Sequence, residues 1–130
     1  MKALLLIISS LFSLVIHSGE VNSWECNKFD GAKIVSQDGE YLGQLGPSWH
    51  TDSIYNSSSQ YSSTWSRNSI FNTNSEYGNA YSSTSAFNES ASEPPQIITE
   101  DGEVKYLSIG PSWDPNRLSP YDFKYTCDWD

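Results

Sequence analysis

Histidine is almost absent from this 130-residue chain: His17 and His50 are the only two, and cysteine is as scarce, with Cys26 and Cys127 alone. Zinc centres call for clustered cysteine and histidine, so no zinc site is expected. A Ser-His-acid hydrolase needs a histidine, no serine stands in a Gly-x-Ser-x-Gly setting, and pairing of the two cysteines removes a thiol nucleophile. No catalytic and no metal-ligating residue is assigned. Cations are also few, 7 Lys and Arg against 16 Asp and Glu for a net charge of −9. Nucleic-acid and anionic-membrane recognition both rest on Lys and Arg facing phosphates, and neither is expected. Beyond residue 16 no long apolar run remains, whereas a spanning helix needs about 20 apolar residues, so no transmembrane segment is expected.

What is present begins with a leader. Met1-Lys2-Ala3 precedes an apolar run from Leu4 to Ile16, the layout of a secretory signal peptide. Val21-Asn22-Ser23 offers the small residues of a cleavage site, with Gly19 as a competing end point. The reading is a signal peptide over 1–23 with cleavage near Ser23, then one secreted or periplasmic domain over 24–130. Loss of the leader takes Lys2 and Glu20, one charge of each sign, so the mature chain stays at −9. A chain this short profits from a staple, and an oxidising compartment permits a disulfide between Cys26 and Cys127, close to the two ends.

The middle third repeats every sixteen residues: Asp52 to Arg67, Asn68 to Ser83 and Thr84 to Thr99 align, placing the repeat tract at 52–99. Each unit carries Ser-Ile-aromatic-Asn or its Ala variant, as Ser53-Ile54-Tyr55-Asn56, Ser69-Ile70-Phe71-Asn72 and Ser85-Ala86-Phe87-Asn88. Tyr61 and Tyr77 occupy the tenth place, Trp65 and Tyr81 the fourteenth, and Glu93-Pro94-Pro95 ends the series. Capping-type residues opening each unit predict one short helical turn there, with asparagine ending it. Fixed aromatic spacing argues against a disordered Ser/Asn tract and predicts aromatics pinned inward, because aliphatic residues are scarce after the leader. Any function carried by the repeat is then expected on the Ser/Asn face left exposed.

A second duplication brackets the first. Ile34 to Glu40 with Tyr41-Leu42 and Gly46-Pro47-Ser48-Trp49 recurs as Ile97 to Glu103 with Tyr106-Leu107 and Gly110-Pro111-Ser112-Trp113. Asp-Gly between β-formers is a strong hairpin signal, which predicts strands near 32–36, 40–45, 96–99 and 103–109, two hairpins in one sheet, and each Gly-Pro-Ser-Trp turn dropping its tryptophan onto the core. The fold expected is a small single domain, mainly β with irregular repeat loops, in which two Asp-Gly hairpins flank the sixteen-residue repeat tract.

Ser69-Ile70-Phe71-Asn72, Tyr77-Gly78-Asn79 with Tyr81-Ser82, Ser85-Ala86-Phe87-Asn88, Pro94-Pro95 with Ile97, and Asp38-Gly39 with Tyr41-Leu42-Gly43 and Leu45 together resemble a tract of small uncharacterised bacterial proteins. The resemblance covers roughly residues 34 to 109 and implies an ordered repeat fold. It carries no catalytic residue across, and Tyr61-Ser62-Ser63 departs from the family's usual Tyr-Gly-Ser.

Two further features bear on chemistry. Acidic oxygens gather at Asp38/Glu40, at Glu100/Asp101/Glu103 and at Asp52 with Asn56, but no Asp-x-Asp-x-Asp-Gly loop is present; calcium is the one cofactor left open. Aromatics make up 14% of the chain, and turned outward they would form a stacking surface for sugars or protein. The expectation is a non-enzymatic binding or envelope-associated structural module whose partner is carbohydrate or another protein. The rivals are a small hydrolase using paired carboxylates and a calcium-stabilised module. Asn56-Ser57-Ser58 and Asn88-Glu89-Ser90 match the N-glycosylation pattern, which carries no information in a bacterial host.

Overall fold

The computed structural model describes residues 19–130. The leader read over 1–23 therefore lies outside the described residues except for its last five. The chain forms one small, mainly β domain: a five-stranded mixed sheet with two short helices. Strands β1 (Lys33–Val35), β2 (Tyr41–Gln44), β3 (Gln96–Ile98), β4 (Val104–Leu107) and β5 (Arg117–Leu118) lie in the order β2-β1-β3-β4-β5, antiparallel except for the β4–β5 pair. Ile34 and Ile97 stand opposite one another across the central β1–β3 pair, both fully buried. They and the buried Leu42 and Leu107 set which sheet face meets the core, as strand alternation requires.

The chain ends meet through the helices α1 (Cys26–Phe29) and α2 (Pro120–Cys127). Ser119 caps α2 by accepting from the Tyr121 N–H at 3.1 Å, and Pro120 takes the first turn, where its missing N–H costs nothing. Phe29 and Phe123 meet edge to face at 5.1 Å, and Trp129 stacks on Phe123 at 5.9 Å. Beside this aromatic knot Cys26 and Cys127 are disulfide-bonded across a separation of 101 residues. Such bonds persist in oxidising compartments, which agrees with an extracellular or periplasmic protein. Among the described residues no helix is long and apolar enough to cross a membrane.

Two segments, 36–40 and 99–103, close with the same hydrogen bonds. The Ser36 N–H donates to Glu40 O and the Thr99 N–H to Glu103 O, while Gly39 and Gly102 N–H groups donate to Ser36 and Thr99 O. The Ser36 and Thr99 hydroxyls donate to Asp38 and Asp101 and accept from the Glu40 and Glu103 N–H groups.

The segment between β2 and β3 holds no helix, which corrects the helical turn expected at the start of each unit. It runs instead as a chain of single turns, each closed by an N–H donating to the carbonyl three residues back: at 50–53, 53–56, 56–59 and 59–62, then 66–69, 69–72, 72–75 and 75–78, then 79–82, 82–85 and 88–91. The reason is local competition. The Tyr55, Phe71 and Phe87 N–H groups are captured at 3.0 Å by the hydroxyls of Ser53, Ser69 and Ser85, two residues earlier. Donors committed to a side chain cannot serve a helix ladder.

Candidate functional site

The repeat turns one row of its Ser and Asn residues inward. Ser53, Ser69 and Ser85 are fully buried, and Ser59, Asn72 and Ser75 nearly so. Each repeat asparagine acts as a two-ended clamp. Asn56, Asn72 and Asn88 donate from Nδ2 to the carbonyls of His50, Ser66 and Ser82, all at 2.9 Å, and accept at Oδ1 from the Ser58, Asn74 and Ser90 N–H groups at 2.9–3.0 Å. These side chains satisfy a buried backbone that has no sheet or helix to pair with, while Ser57, Ser58, Asn74, Ser83 and Ser90 stay exposed. Apolar packing runs alongside them, with Ile54, Ile70 and Ala86 fully buried and the rings of Tyr55, Phe71 and Phe87 following one another at 6.5 and 5.7 Å. Burial, then the charge of Asp122, raises the Tyr55 phenol far above its usual range.

Tyr77 is buried and Tyr61 packs on Tyr41 at 5.2 Å, so the tenth place of the unit does face inward. The fourteenth does not. Trp65 is 90% exposed and Tyr81 93% exposed, and the two duplicated-turn tryptophans, Trp49 and Trp113, are 77% and 74% exposed. All four were expected inside. The core is filled by aliphatic residues with Phe29, Phe123, Tyr77 and Trp129, which leaves these four no interior position. Trp49, Trp65 and Tyr81 are also spaced at sixteen residues, each immediately before a carbonyl held by a repeat asparagine. The register therefore starts at Trp49, three residues before the boundary read from the sequence. No ring pair joins these three side chains among the described residues, and the aromatic pairs seen at the surface end are Trp49 with His50 and Phe87 with Tyr121.

Clefts open near the outward aromatics. One of about 630 Å³ is bounded by Trp113, Pro111, Glu89, Asp114 and Arg117. Gly110 packs closely against Glu89, since a β-carbon at Gly110 would meet Glu89 Cβ at 2.8 Å. Arg117 is fixed there, with Nε 3.5 Å from Asp114 Oδ2 and Nη1 donating to Gly110 O at 3.1 Å, and the Asn116 N–H donates to Asp114 Oδ1 at 2.9 Å. A second cleft, of about 400 Å³, lies between Phe71, Phe87, Tyr81 and Tyr121. A third, of about 310 Å³, takes in Glu20, Ser119, Asp122 and Thr126. There burial, and then the charge of Glu20, raises the Asp122 carboxyl above its ordinary range.

Of the acidic groups weighed for calcium, all but the exposed Glu100 are engaged locally, Glu40 lying 3.5 Å from Arg67. Asp38 and Asp101 accept from Ser36 and Thr99, Glu103 pairs with Lys28 at 2.6 Å, and Asp52 accepts from the Tyr41 hydroxyl at 3.1 Å. Among the described residues no group of three or more His, Cys, Asp or Glu is placed to hold a metal ion. His50 stands against Gln44 at 3.2 Å and Asp30 at 3.9 Å, with no nucleophile bonded to it among the described residues. Comparison with family models, with curated proteins and with solved structures found no match to this chain.

Proposed function

We propose that this is a secreted or periplasmic, non-enzymatic binding module whose outward aromatics hold carbohydrate at the cell envelope or outside it. The observation that carries the reading is the exposure of four of the five tryptophans and of Tyr81, against a buried Trp129 at 4%. A tryptophan buries roughly 150–250 Å², so each one left outside forgoes on the order of 4–6 kcal/mol at about 25 cal/mol per Å². A chain short of aliphatic residues gains nothing in stability from that arrangement. Indole faces stack on the C–H faces of sugars while surrounding hydroxyl, amide and carboxylate groups meet the sugar hydroxyls, and the Ser/Asn-rich turns supply such groups. Protein is the alternative partner for the same surface. The two Asp-Gly segments and the sixteen-residue tract serve this reading as scaffold, presenting Trp49, Trp65 and Tyr81 at equivalent corners.

The test is retention of the mature, disulfide-bonded protein by envelope polysaccharide, compared with a Trp49→Ala, Trp65→Ala, Tyr81→Ala, Trp113→Ala variant. Equal retention of the two proteins refutes the reading. A second reading, the carboxylate hydrolase, is favoured by one observation, the raised Asp122 carboxyl beside Glu20 in a cleft, because two carboxyls in one cleft, one of them shifted upward, are the groups that acid catalysis draws on. Glycan hydrolysis abolished in Asp122→Asn would establish it; a glycan that stays intact with the wild-type protein removes it.

A further inference from the structure

The Trp113 cleft differs from the repeat corners in being a walled site, and its walls select a ligand class. Three kinds of group meet there: an indole face 74% exposed, the Glu89 carboxylate, and the Asp114–Arg117 pair. Glu89 makes no hydrogen bond or ion pair among the described residues and is exposed at the rim, so it accepts freely. Arg117 is already committed at two points, to Asp114 and to Gly110 O. Its charge is thereby neutralised, while its fixed position offers directional N–H groups rather than a loose counter-ion. Two carboxylates against one guanidinium leave the wall with a net negative charge, inside a protein at −9 overall. An anionic ligand meets repulsion at both scales.

We infer that this cleft is a subsite for a neutral pyranose, the ring stacking on Trp113 and its hydroxyls donating to Glu89 and Asp114. The inference rests on the carbohydrate-binding reading above and goes further by naming the residue and excluding uronates and phosphosugars. The volume of about 630 Å³ lies within the roughly 300–1,000 Å³ usual for small-ligand sites. An apolar metabolite would leave the Glu89 carboxylate facing it without a partner, at a desolvation cost.

The experiment is native gel electrophoresis of the mature protein through gels containing a neutral glucan, mannan or xylan, or a polygalacturonate of similar length, with dissociation constants read from retardation. The expected result is retardation by a neutral polymer and none by polygalacturonate. Trp113→Ala weakens binding by tenfold or more, Trp113→Tyr by a few-fold, and Glu89→Gln by a few-fold. Tyr125→Ala, an exposed aromatic on α2 outside the cleft, leaves this affinity within twofold, and Trp65→Ala with Tyr81→Ala reads the repeat corners separately. Thermal melts of every variant report folding. Retardation lost in the Trp65/Tyr81 variant but kept in Trp113→Ala overturns the subsite while leaving carbohydrate binding intact. Equal retardation by polygalacturonate overturns the charge argument. Retardation by none of the polymers overturns both this inference and the reading on which it rests.

Discussion

Replacing Asn72 tests whether side-chain clamps hold the repeat. Its amide bridges the Ser66 carbonyl and the Asn74 N–H, both at 2.9 Å, and the residue is only 7% exposed. Asn72→Ala strands both backbone groups. The Ser66 carbonyl is half-buried, whereas Asn74 is exposed and its N–H regains water, so one desolvated group at about 1–3 kcal/mol plus a small cavity gives a loss of about 2 kcal/mol. That corresponds to roughly 8 °C in a domain of this size. Asn72→Asp is more discriminating. It keeps the Oδ1 acceptor but turns a carboxylate oxygen onto the Ser66 carbonyl, raising that carboxyl's pKa in the folded state. A raised folded pKa means that the stability is intact below the unfolded value near pH 3.9 and is lost as pH rises through the folded value. Asn72→Asp therefore costs about 3 kcal/mol at pH 7 and about 1 kcal/mol near pH 3.5. Urea denaturation followed by tryptophan fluorescence at the two pH values measures both. A loss below about 0.5 kcal/mol, or one that does not change with pH, would refute the clamp. The half-buried equivalents Asn56 and Asn88 should give the same sign at smaller size.

Further outcomes follow from the same packing. Substituting both Cys26 and Cys127 by serine opens a loop of 101 residues, with a stability loss of up to about 4.7 kcal/mol out of a total of roughly 5–15 kcal/mol; a change under about 1 kcal/mol in denaturant titration contradicts it. The Tyr41 phenol is pushed up to about 12, first by burial and then by its hydrogen bond to Asp52. The advantage of the wild type over Tyr41→Phe, about 1 kcal/mol, is therefore complete below pH 10 and fades as pH rises toward 12, as melts at pH 8 and pH 11.5 will show. Val21 is 6% exposed within the core cluster, and Asn22 and Glu25 bond to each other at the start of the first turn. Cleavage after Gly19 keeps these contacts, worth about 1.5–3 kcal/mol for the valine alone, so N-terminal sequencing of the exported protein should read upstream of Val21. A mature start at Trp24 refutes this.

Much of the sheet was legible because it is built from local signals. Ile34 and Ile97 sit in short β-branched runs beside Asp-Gly, and the strands fall within the windows read for them. The disulfide followed from two widely separated cysteines in a chain read as exported, and the structure forms it. The C-terminal helix escaped notice although its start is written plainly, Ser119-Pro120 followed by Asp122 in the first turn. β5 is two residues long and pairs parallel with β4, which no periodicity of that length can announce. The larger miss lay in the repeat. Inside the sixteen-residue period sits a period of three, Ser53, Asn56, Ser59, Ser62 and again Ser66, Ser69, Asn72, Ser75, Gly78. Ser and Asn favour the first place of such turns, so this signal pointed to a chain of turns rather than to helix starts.

That inner period also explains why the aromatics divide as they do. A chain of three-residue turns leaves most backbone groups without a ladder, and small hydroxyl and amide side chains reach them only from inside the coil. The interior is thus claimed by Ser and Asn together with one apolar pair per unit, Ile54-Tyr55, Ile70-Phe71 and Ala86-Phe87. Gly78 shows how little room remains, since a β-carbon there would lie 2.2 Å from Asn72 O, while its counterpart Ser62 fits by donating its hydroxyl to Asn56 O. Trp65 lies where no turn hydrogen bond spans 62–66, whereas Trp49 and Tyr81 lie inside the 47–50 and 79–82 turns, and all three corners face outward. An aromatic at such a corner cannot be pulled inward without displacing a serine or asparagine that the backbone needs. Its outward position is therefore imposed by the fold, and the choice of a large indole there, where serine or lysine would serve solubility equally well, is the part that packing does not explain and that the proposed carbohydrate binding would.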